Sequence, residues 1–310
     1  ELRAQKDLVV TTGPLTPNTV YDHINVLIIR SKTIVNRRLI EKLPNLQCII
    51  SCTSGFDHIF FEELVAQKNL LITHTPQANT QSATELTWAL LLAVLHRLPG
   101  AHRQLTQGIW ERDYWLGEEL TGKVMGIIGL GRVGSRVAQI AQSFGITVLA
   151  FDPYRDEEWF QSHGVTRVGF HELLLQADIV SMHVPKTAET KNMISVRHLD
   201  FIERGIYLIN TSRGDVIEPQ FIERGLQFGQ LLGVGLDVHF VEPVPKDTSY
   251  LKHPRCVVTP HIGGWTKQAI RKASQEAIFK LKKFINGEPI LDTLPPKDPW
   301  YHSPFRHIDP

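Results

Sequence analysis

The segment Gly129-Leu130-Gly131-Arg132-Val133-Gly134 is a Gly-x-Gly-x-x-Gly turn, preceded by the apolar run Val124-Met125-Gly126-Ile127-Ile128 and followed by helix-period residues Val133, Val137, Ile140 and Ala141. Between a strand and a helix, each glycine has a task. The first permits a tight turn, the second lets backbone N–H groups approach a pyrophosphate, and the third lets helix and strand pack closely. The helix start at Arg132 and Val133 adds the partial positive charge of unsatisfied N–H groups. A second run, Thr147-Val148-Leu149-Ala150-Phe151, ends at Asp152, eighteen residues after Gly134. A carboxylate there accepts hydrogen bonds from an adenosine ribose diol and repels a 2'-phosphate, which favours NAD over NADP.

Hydride transfer to such a cofactor needs a cation for a carboxylate substrate and a proton donor or acceptor at the reacting oxygen. The carboxyl ends of the later strands are where these groups belong. Arg213 follows Leu208-Ile209-Asn210-Thr211-Ser212, Glu242 follows Gly235-Leu236-Asp237-Val238, and His261 follows Val257-Val258-Thr259-Pro260. Arginine's planar fork grips a carboxylate bidentately. Histidine titrates near neutrality, so it gives a proton in one direction and takes one in the other. A neighbouring glutamate fixes its tautomer and raises its pKa. Taken singly, each residue is ordinary: an Arg after a strand is commonly a surface ion pair, and Glu-Pro is commonly a turn.

The elements that must position these groups are legible along the chain. Short β-branched runs alternate with helix-period segments almost from end to end, the pattern of an α/β protein with parallel strands. In the first third the sequence predicts strands near Val9-Thr12, Val26-Arg30, Cys48-Cys52 and Leu70-Thr73, with helices near Asn36-Leu43 and Phe60-Lys68. A helix from about Gln81, apolar all round from Trp88 to Leu95, reads as buried. Residues 99–122, with Trp110, Tyr114 and Trp115 among charged residues, read as an excursion that packs on something, a partner subunit being one candidate. From Lys123 the alternation restarts, with strands near Val124-Gly129, Thr147-Asp152, Asp178-Val184, Tyr207-Asn210, Gly233-Val238 and Val257-Thr259. A last helix, Thr266 to Asn286, stops at Gly287.

With 310 residues, two domains are expected. Lys plus Arg number 33 against 32 Asp plus Glu, so no electrostatic footprint for nucleic acid or an anionic membrane appears. The longest apolar run, Trp88 to Leu95, is eight residues, far below the roughly 20 that span a bilayer. Cys48, Cys52 and Cys256 have no metal-site spacing, so reduced thiols, a cytoplasmic location and no metal are expected. Gly117 to Lys123 imitates a phosphate loop, but Val124 stands where a magnesium-holding hydroxyl would be. Asn210-Thr211-Ser212 fits a glycosylation sequon yet ends an apolar strand.

Several stretches together resemble the NAD-dependent D-isomer-specific 2-hydroxyacid dehydrogenase family: Thr75 to Glu85, the glycine turn, Asn210 to Asp215, Gly235 to Val238 with Glu242-Pro243, and Pro260-His-Ile-Gly-Gly264. The resemblance implies two doubly wound parallel-sheet domains, a Rossmann cofactor domain over 95–286 and a smaller, flavodoxin-like substrate domain from 1–94 and 287–310. It implies NAD as cofactor and a homodimer formed through the 99–122 excursion. Arg213 then holds substrate, His261 is the acid/base, and Glu242 is its partner. Asp237 contacts the nicotinamide carboxamide, Thr84 lies near the nicotinamide, Val184 at the end of its strand binds the cofactor, and the Ser54 and Gly55 backbone N–H groups bind the substrate carboxylate. The family's first strand has no counterpart before Glu1, so a preceding segment or an unusually short N-terminus is expected.

Arg30-Ser-Lys-Thr33 and Gly108-Ile-Trp-Glu-Arg112 look most like phosphoglycerate dehydrogenases, with Arg30 and Lys32 as added cations for a phosphorylated acid. Trp265 stands where those enzymes have a small Ser or Ala, so a bulky indole borders the substrate pocket and suits an apolar or aromatic 2-oxo acid; hydroxypyruvate, glyoxylate or another 2-oxo acid is the alternative substrate. The chain ends without the amino-acid-binding regulatory domain that many phosphoglycerate enzymes append, so serine feedback through one is not expected. A reading from another class is an NAD-sensing binding protein on the same scaffold. Formate dehydrogenases pair the histidine with Gln, and Glu242 argues against them.

Overall fold

A computed structural model describes residues 9–16, 19–64 and 69–302. Its contacts divide the chain into two units, Glu1–Asn79 with Lys267–Lys297 and Thr80–Thr266 with Asp298–Pro310.

In the first unit, β1 (Val26–Ile29), β2 (Cys48–Ser51) and β3 (Leu71–His74) form a parallel sheet in that order. The central strand β2 is buried along its whole length, as a continuous apolar run covered on both faces must be. Helix α1 (Arg37–Ile40) starts where the Asn36 side chain accepts the Leu39 N–H. The strand expected at Val9-Thr12 does not form: these residues are irregular and Val9 is 93% exposed, because β-propensity is decided by burial rather than by the residues alone. The helix expected at Phe60-Lys68 is a 3-10 turn over Phe61–Leu64, and Val65 to Lys68 fall outside the described residues. The long C-terminal helix, Lys267–Ile285, belongs to this unit rather than the second, because Ala277 and Leu281 pack with Cys48 and Ile50 of β2.

In the second unit, helices α2 (Thr80–Leu95) and α3 (Leu98–Thr106) precede a seven-stranded parallel sheet. Its strands are β4 (Val124–Ile128), β5 (Thr147–Phe151), β6 (Thr166–Arg167), β7 (Ile179–Met182), β8 (Ile206–Asn210), β9 (Leu231–Leu236) and β10 (Cys256–Val258). The spatial order is β10-β9-β8-β7-β4-β5-β6, so the winding reverses between β4 and β7, the switch point at which open α/β sheets bind ligands. Helices α4 (Arg132–Ser143), α5 (Glu157–Ser162), α6 (Phe170–Gln176) and α7 (Pro219–Phe228) connect the strands. The two-residue β6 was not expected from sequence. Helix α2 joins this unit because Gly233 and Gly235 bare one face of β9 to it: a Cβ at Gly233 would lie 2.3 Å from Val94, and one at Gly235 3.0 Å from Leu90. Residues 98–122 fold as α3 and a 3-10 turn over Arg112–Trp115 that leave Trp110 79% and Leu116 81% exposed. Among the described residues, no helix is long and apolar enough to cross a membrane.

Candidate active site

The glycine turn has the geometry its spacing predicts. Gly129, at φ +92°, follows β4, and a Cβ there would lie 2.8 Å from the His183 carbonyl oxygen and 2.9 Å from Val184, which places Val184 beside the turn. Gly134 is packed so closely on the turn that a Cβ would come within 2.0 Å of the Gly129 carbonyl oxygen. Gly131, the extended N-cap of α4, is different: a Cβ there would meet nothing within 4 Å. Open space thus faces the start of a helix whose first N–H groups have no intrahelical partner, the arrangement an anionic pyrophosphate requires. Arg132 is exposed at the first helical position, while Val133 packs towards the core.

Asp152 ends β5 and closes the turn: its Oδ2 accepts the Leu130 N–H (2.8 Å) and its Oδ1 the Tyr154 N–H (3.0 Å). A cavity of about 410 Å³ opens beside it, lined by Phe151, Pro153, Arg167, Val168 and Gly169. Turn, carboxylate and cavity together fit a dinucleotide. Gly134→Ala is expected to push α4 off the turn at a cost of about 1–3 kcal/mol, and so to weaken NADH binding roughly tenfold or more. Fluorescence titration with NADH checks this, and unchanged affinity would count against the turn as the site.

Arg213 follows β8, half-buried, in a turn built by the buried Asn210. The Asn210 Nδ2 donates to the Arg213 carbonyl (2.8 Å), and its Oδ1 accepts both the N–H (2.9 Å) and the hydroxyl (2.8 Å) of Ser212. Gly214 is required next, because a Cβ there would lie 2.0 Å from the His239 carbonyl.

Glu242 and His261 meet. The His261 Nδ1 lies 2.7 Å from the Glu242 Oε2, and the other carboxylate oxygen accepts the His239 N–H at 3.0 Å. The hydrogen bond that the His261 Nδ1–H donates to Glu242 raises the His261 pKa, against the opposing effect of burial and of Arg213 nearby. Burial works against the Glu242 carboxylate, but the His261 ring and the His239 N–H outweigh it and hold its pKa below the ordinary value. Since Nδ1 faces Glu242, Nε2 is the ring nitrogen that this pair leaves for proton exchange with a ligand.

The buried Asp237 fixes the loop that carries His261. Its Oδ1 accepts the Thr259 hydroxyl (2.6 Å) and the Ile262 N–H (2.8 Å), its Oδ2 accepts the Gly263 N–H (2.7 Å), and its carbonyl accepts the His261 N–H (2.8 Å). This organising role was not foreseen from sequence. It explains how His261 is kept at φ +54°, a left-handed conformation that a non-glycine residue holds only when its surroundings over-determine it.

Thr84 is buried, with its hydroxyl donating to the Thr80 carbonyl of its own helix (2.9 Å). Trp265 is 62% exposed, and its N–H donates to the Ile262 carbonyl (2.8 Å). In the first unit, Ser54 and Gly55 follow β2, where the His74 Nδ1 lies 2.8 Å from the Ser54 carbonyl and the Thr53 hydroxyl donates to the Gly55 carbonyl (2.7 Å). Arg30 follows β1, half-buried near Cys52, and Lys32 is exposed in the turn after it. Asn210, Thr259 and His239 were missed as site residues. A buried polar side chain at the end of an apolar strand is the signal that marks Asn210.

A doubly wound sheet with a dinucleotide turn at its switch point and a carboxylate–imidazole pair at its later strand ends defines a Rossmann-type cofactor-binding unit with acid/base equipment. The chain belongs to the D-isomer specific 2-hydroxyacid dehydrogenases: residues 88–263 match that family's NAD-binding domain. The D-3-phosphoglycerate dehydrogenase of Bacillus subtilis is 34% identical over 270 residues, 87% of this chain and 51% of that protein. That of Methanocaldococcus jannaschii is 35% identical over 283 residues, 90% and 53% of the two chains. The chain thus spans about half the length of these curated relatives. A structure of D-lactate dehydrogenase from Aquifex aeolicus complexed with NAD and lactic acid is similar with a TM-score of 0.77 and 29% identity, covering 86% of this chain and 84% of that one. A glyoxylate reductase from Paecilomyes thermophila gives a TM-score of 0.80 and 27% identity over 89% and 85%.

Proposed function

We propose that the protein interconverts a D-2-hydroxy acid and its 2-oxo acid with NAD(H). The observation that carries this is the 2.7 Å Glu242–His261 pair at the strand ends of an NAD-binding unit, with Arg213 close enough to act on the His261 charge. The Gly129 to Gly134 turn, Val184 and Asp152 would hold the dinucleotide, whose nicotinamide would supply or accept the hydride. Arg213 holds the substrate carboxylate and polarises the keto oxygen. In the reductive direction the carbonyl carbon gains a hydride and the oxygen gains a proton from the His261 Nε2. In the oxidative direction the same nitrogen takes that proton back. Glu242 stabilises the imidazolium and fixes the ring, and Asp237 holds the loop. The Ser54 and Gly55 N–H groups are read as further carboxylate donors, and Thr84 and Trp265 as neighbours of nicotinamide and substrate.

For substrate we favour the 3-phosphoglycerate/phosphohydroxypyruvate pair. The similarity to D-3-phosphoglycerate dehydrogenases and the cations Arg30 and Lys32 support it. Hydroxypyruvate or glyoxylate is the alternative, supported by the likeness to a glyoxylate reductase, while Trp265 favours an apolar or aromatic 2-oxo acid. Nicotinamide absorbance with NADH and phosphohydroxypyruvate, hydroxypyruvate, glyoxylate, pyruvate and phenylpyruvate separates them. A preference for phosphohydroxypyruvate that disappears in Arg30→Ala is expected, whereas the same preference for an unphosphorylated acid in both proteins would overturn the phosphorylated reading. We read the exposed Trp110 and Leu116 as a face covered by a second copy, and the free thiols Cys48, Cys52 and Cys256 as belonging to a reducing, cytoplasmic setting.

A further inference from the structure

His239 carries no motif, yet it touches all three segments that bear the reacting groups. It follows β9 and is 7% exposed. Its backbone N–H donates to the Glu242 Oε1 (3.0 Å), the carboxylate oxygen that His261 does not use. Its ring Nε2 donates to the Thr259 carbonyl (3.0 Å), and the same carbonyl also accepts the His261 N–H (3.1 Å). Its own carbonyl lies against Gly214, the residue after Arg213, leaving no room for a side chain there. On the far side Tyr250, also buried, stacks parallel to the imidazole with centroids 5.9 Å apart and places its hydroxyl 3.0 Å from the Nδ1.

These partners decide the tautomer. A carbonyl only accepts, so the ring proton sits on Nε2, and Nδ1 accepts from the Tyr250 hydroxyl. Both ring nitrogens are satisfied, as a buried imidazole requires. The ring thus ties the loop after β9, which carries Glu242, to the end of β10, which carries His261. Proton transfer is steep in geometry, and a shift of about 1 Å can cost on the order of a hundredfold in rate.

We infer that His239 is a positioning residue that keeps Glu242, His261 and the Arg213 turn in register. This rests on the reading that Glu242 and His261 carry the proton. The charged groups facing His261 are Glu242, Asp237 and Arg213; His239 faces the Glu242 carboxylate and the neutral Tyr250 hydroxyl.

The test compares full-length wild type, His239→Phe, His239→Gln and Tyr250→Phe in NADH-dependent 2-oxo acid reduction across pH, with direct NMR titration of the His261 ring in each. His239→Phe keeps the bulk but loses the Thr259 bond. It is expected to lower kcat roughly tenfold or more, leave NADH affinity unchanged, and move the His261 titration and the alkaline limb of kcat/KM to lower pH. His239→Gln keeps an N–H donor for Thr259 and is expected to restore most of both. Tyr250→Phe, which keeps the stacked ring, is expected to shift the titration in the same direction by less, and it decides the matter if His239→Phe does not fold. Wild-type kcat and titration in His239→Phe, or no rescue by His239→Gln, overturns the proposal. If wild type reduces no 2-oxo acid, the dehydrogenase reading fails while the His261 titrations still decide the role of His239.

Discussion

Arg213→Lys is expected to lower kcat/KM for 2-oxo acid reduction by about 10²–10³-fold, the cost of removing one preorganised donor from a developing oxyanion. Lysine keeps the charge but not the planar fork, so it cannot hold a carboxylate and a keto oxygen together. Asn210 holds the turn through the Arg213 carbonyl and through Ser212, bonds that survive the change, while the guanidinium's own bond to the Ser212 carbonyl (2.6 Å) is lost. NADH affinity is therefore expected to stay at its wild-type value, with at most a small drop in the unfolding midpoint. Steady-state kinetics with a parallel NADH titration checks this. A variant with wild-type kcat/KM would remove Arg213 from the site.

His261→Ala is expected to remove general acid/base catalysis, a loss of roughly 10²–10⁴-fold in kcat. The sign of the pH dependence follows from the pair. Reduction needs the protonated ring, so its rate is level below the His261 pKa and falls above it, while oxidation needs the neutral ring and rises through the same pKa. Because the hydrogen bond donated to Glu242 raises that pKa, reduction extends to higher pH than an ordinary histidine near 6.5 would allow. Glu242→Gln removes the charge, and the falling limb is expected to move to lower pH with a smaller loss of kcat than in His261→Ala. The linkage to stability has the same sign. With a raised folded pKa, the pair stabilises fully below the ordinary histidine pKa, and that contribution disappears as pH rises through the folded value. A pH profile identical in wild type and Glu242→Gln would show that the pair does not set the titration.

Much of this was legible because the turn and the strand ends obey local rules. The spacing of Gly129, Gly131 and Gly134 marks a backbone constraint, and the close approaches at Gly129 and Gly134 are that constraint realised. Arg213, Glu242 and His261 are candidates because they follow apolar strands, but each is ordinary by itself, and the family resemblance is what singles the three out. What stayed hidden depends on packing across the sheet. The spacing of His239 and Thr259 gives no hint that one donates to the other, since that bond joins the ends of β9 and β10. The grouping of α2 with the second unit turns on Gly233 and Gly235, whose missing side chains matter only once the helix lies over them. At Val9-Thr12, β-propensity misled because no strand pairs there.

The central claim is tested most directly by offering NAD⁺ with the separate D and L enantiomers of 3-phosphoglyceric, glyceric and lactic acids and following nicotinamide absorbance. The account predicts NADH formation with at least one D enantiomer and none with its mirror image, slowed about a hundredfold or more in both Arg213→Lys and His261→Ala. Protein that binds NAD⁺ yet oxidises neither enantiomer of any of these acids, or that prefers the L form, would contradict it.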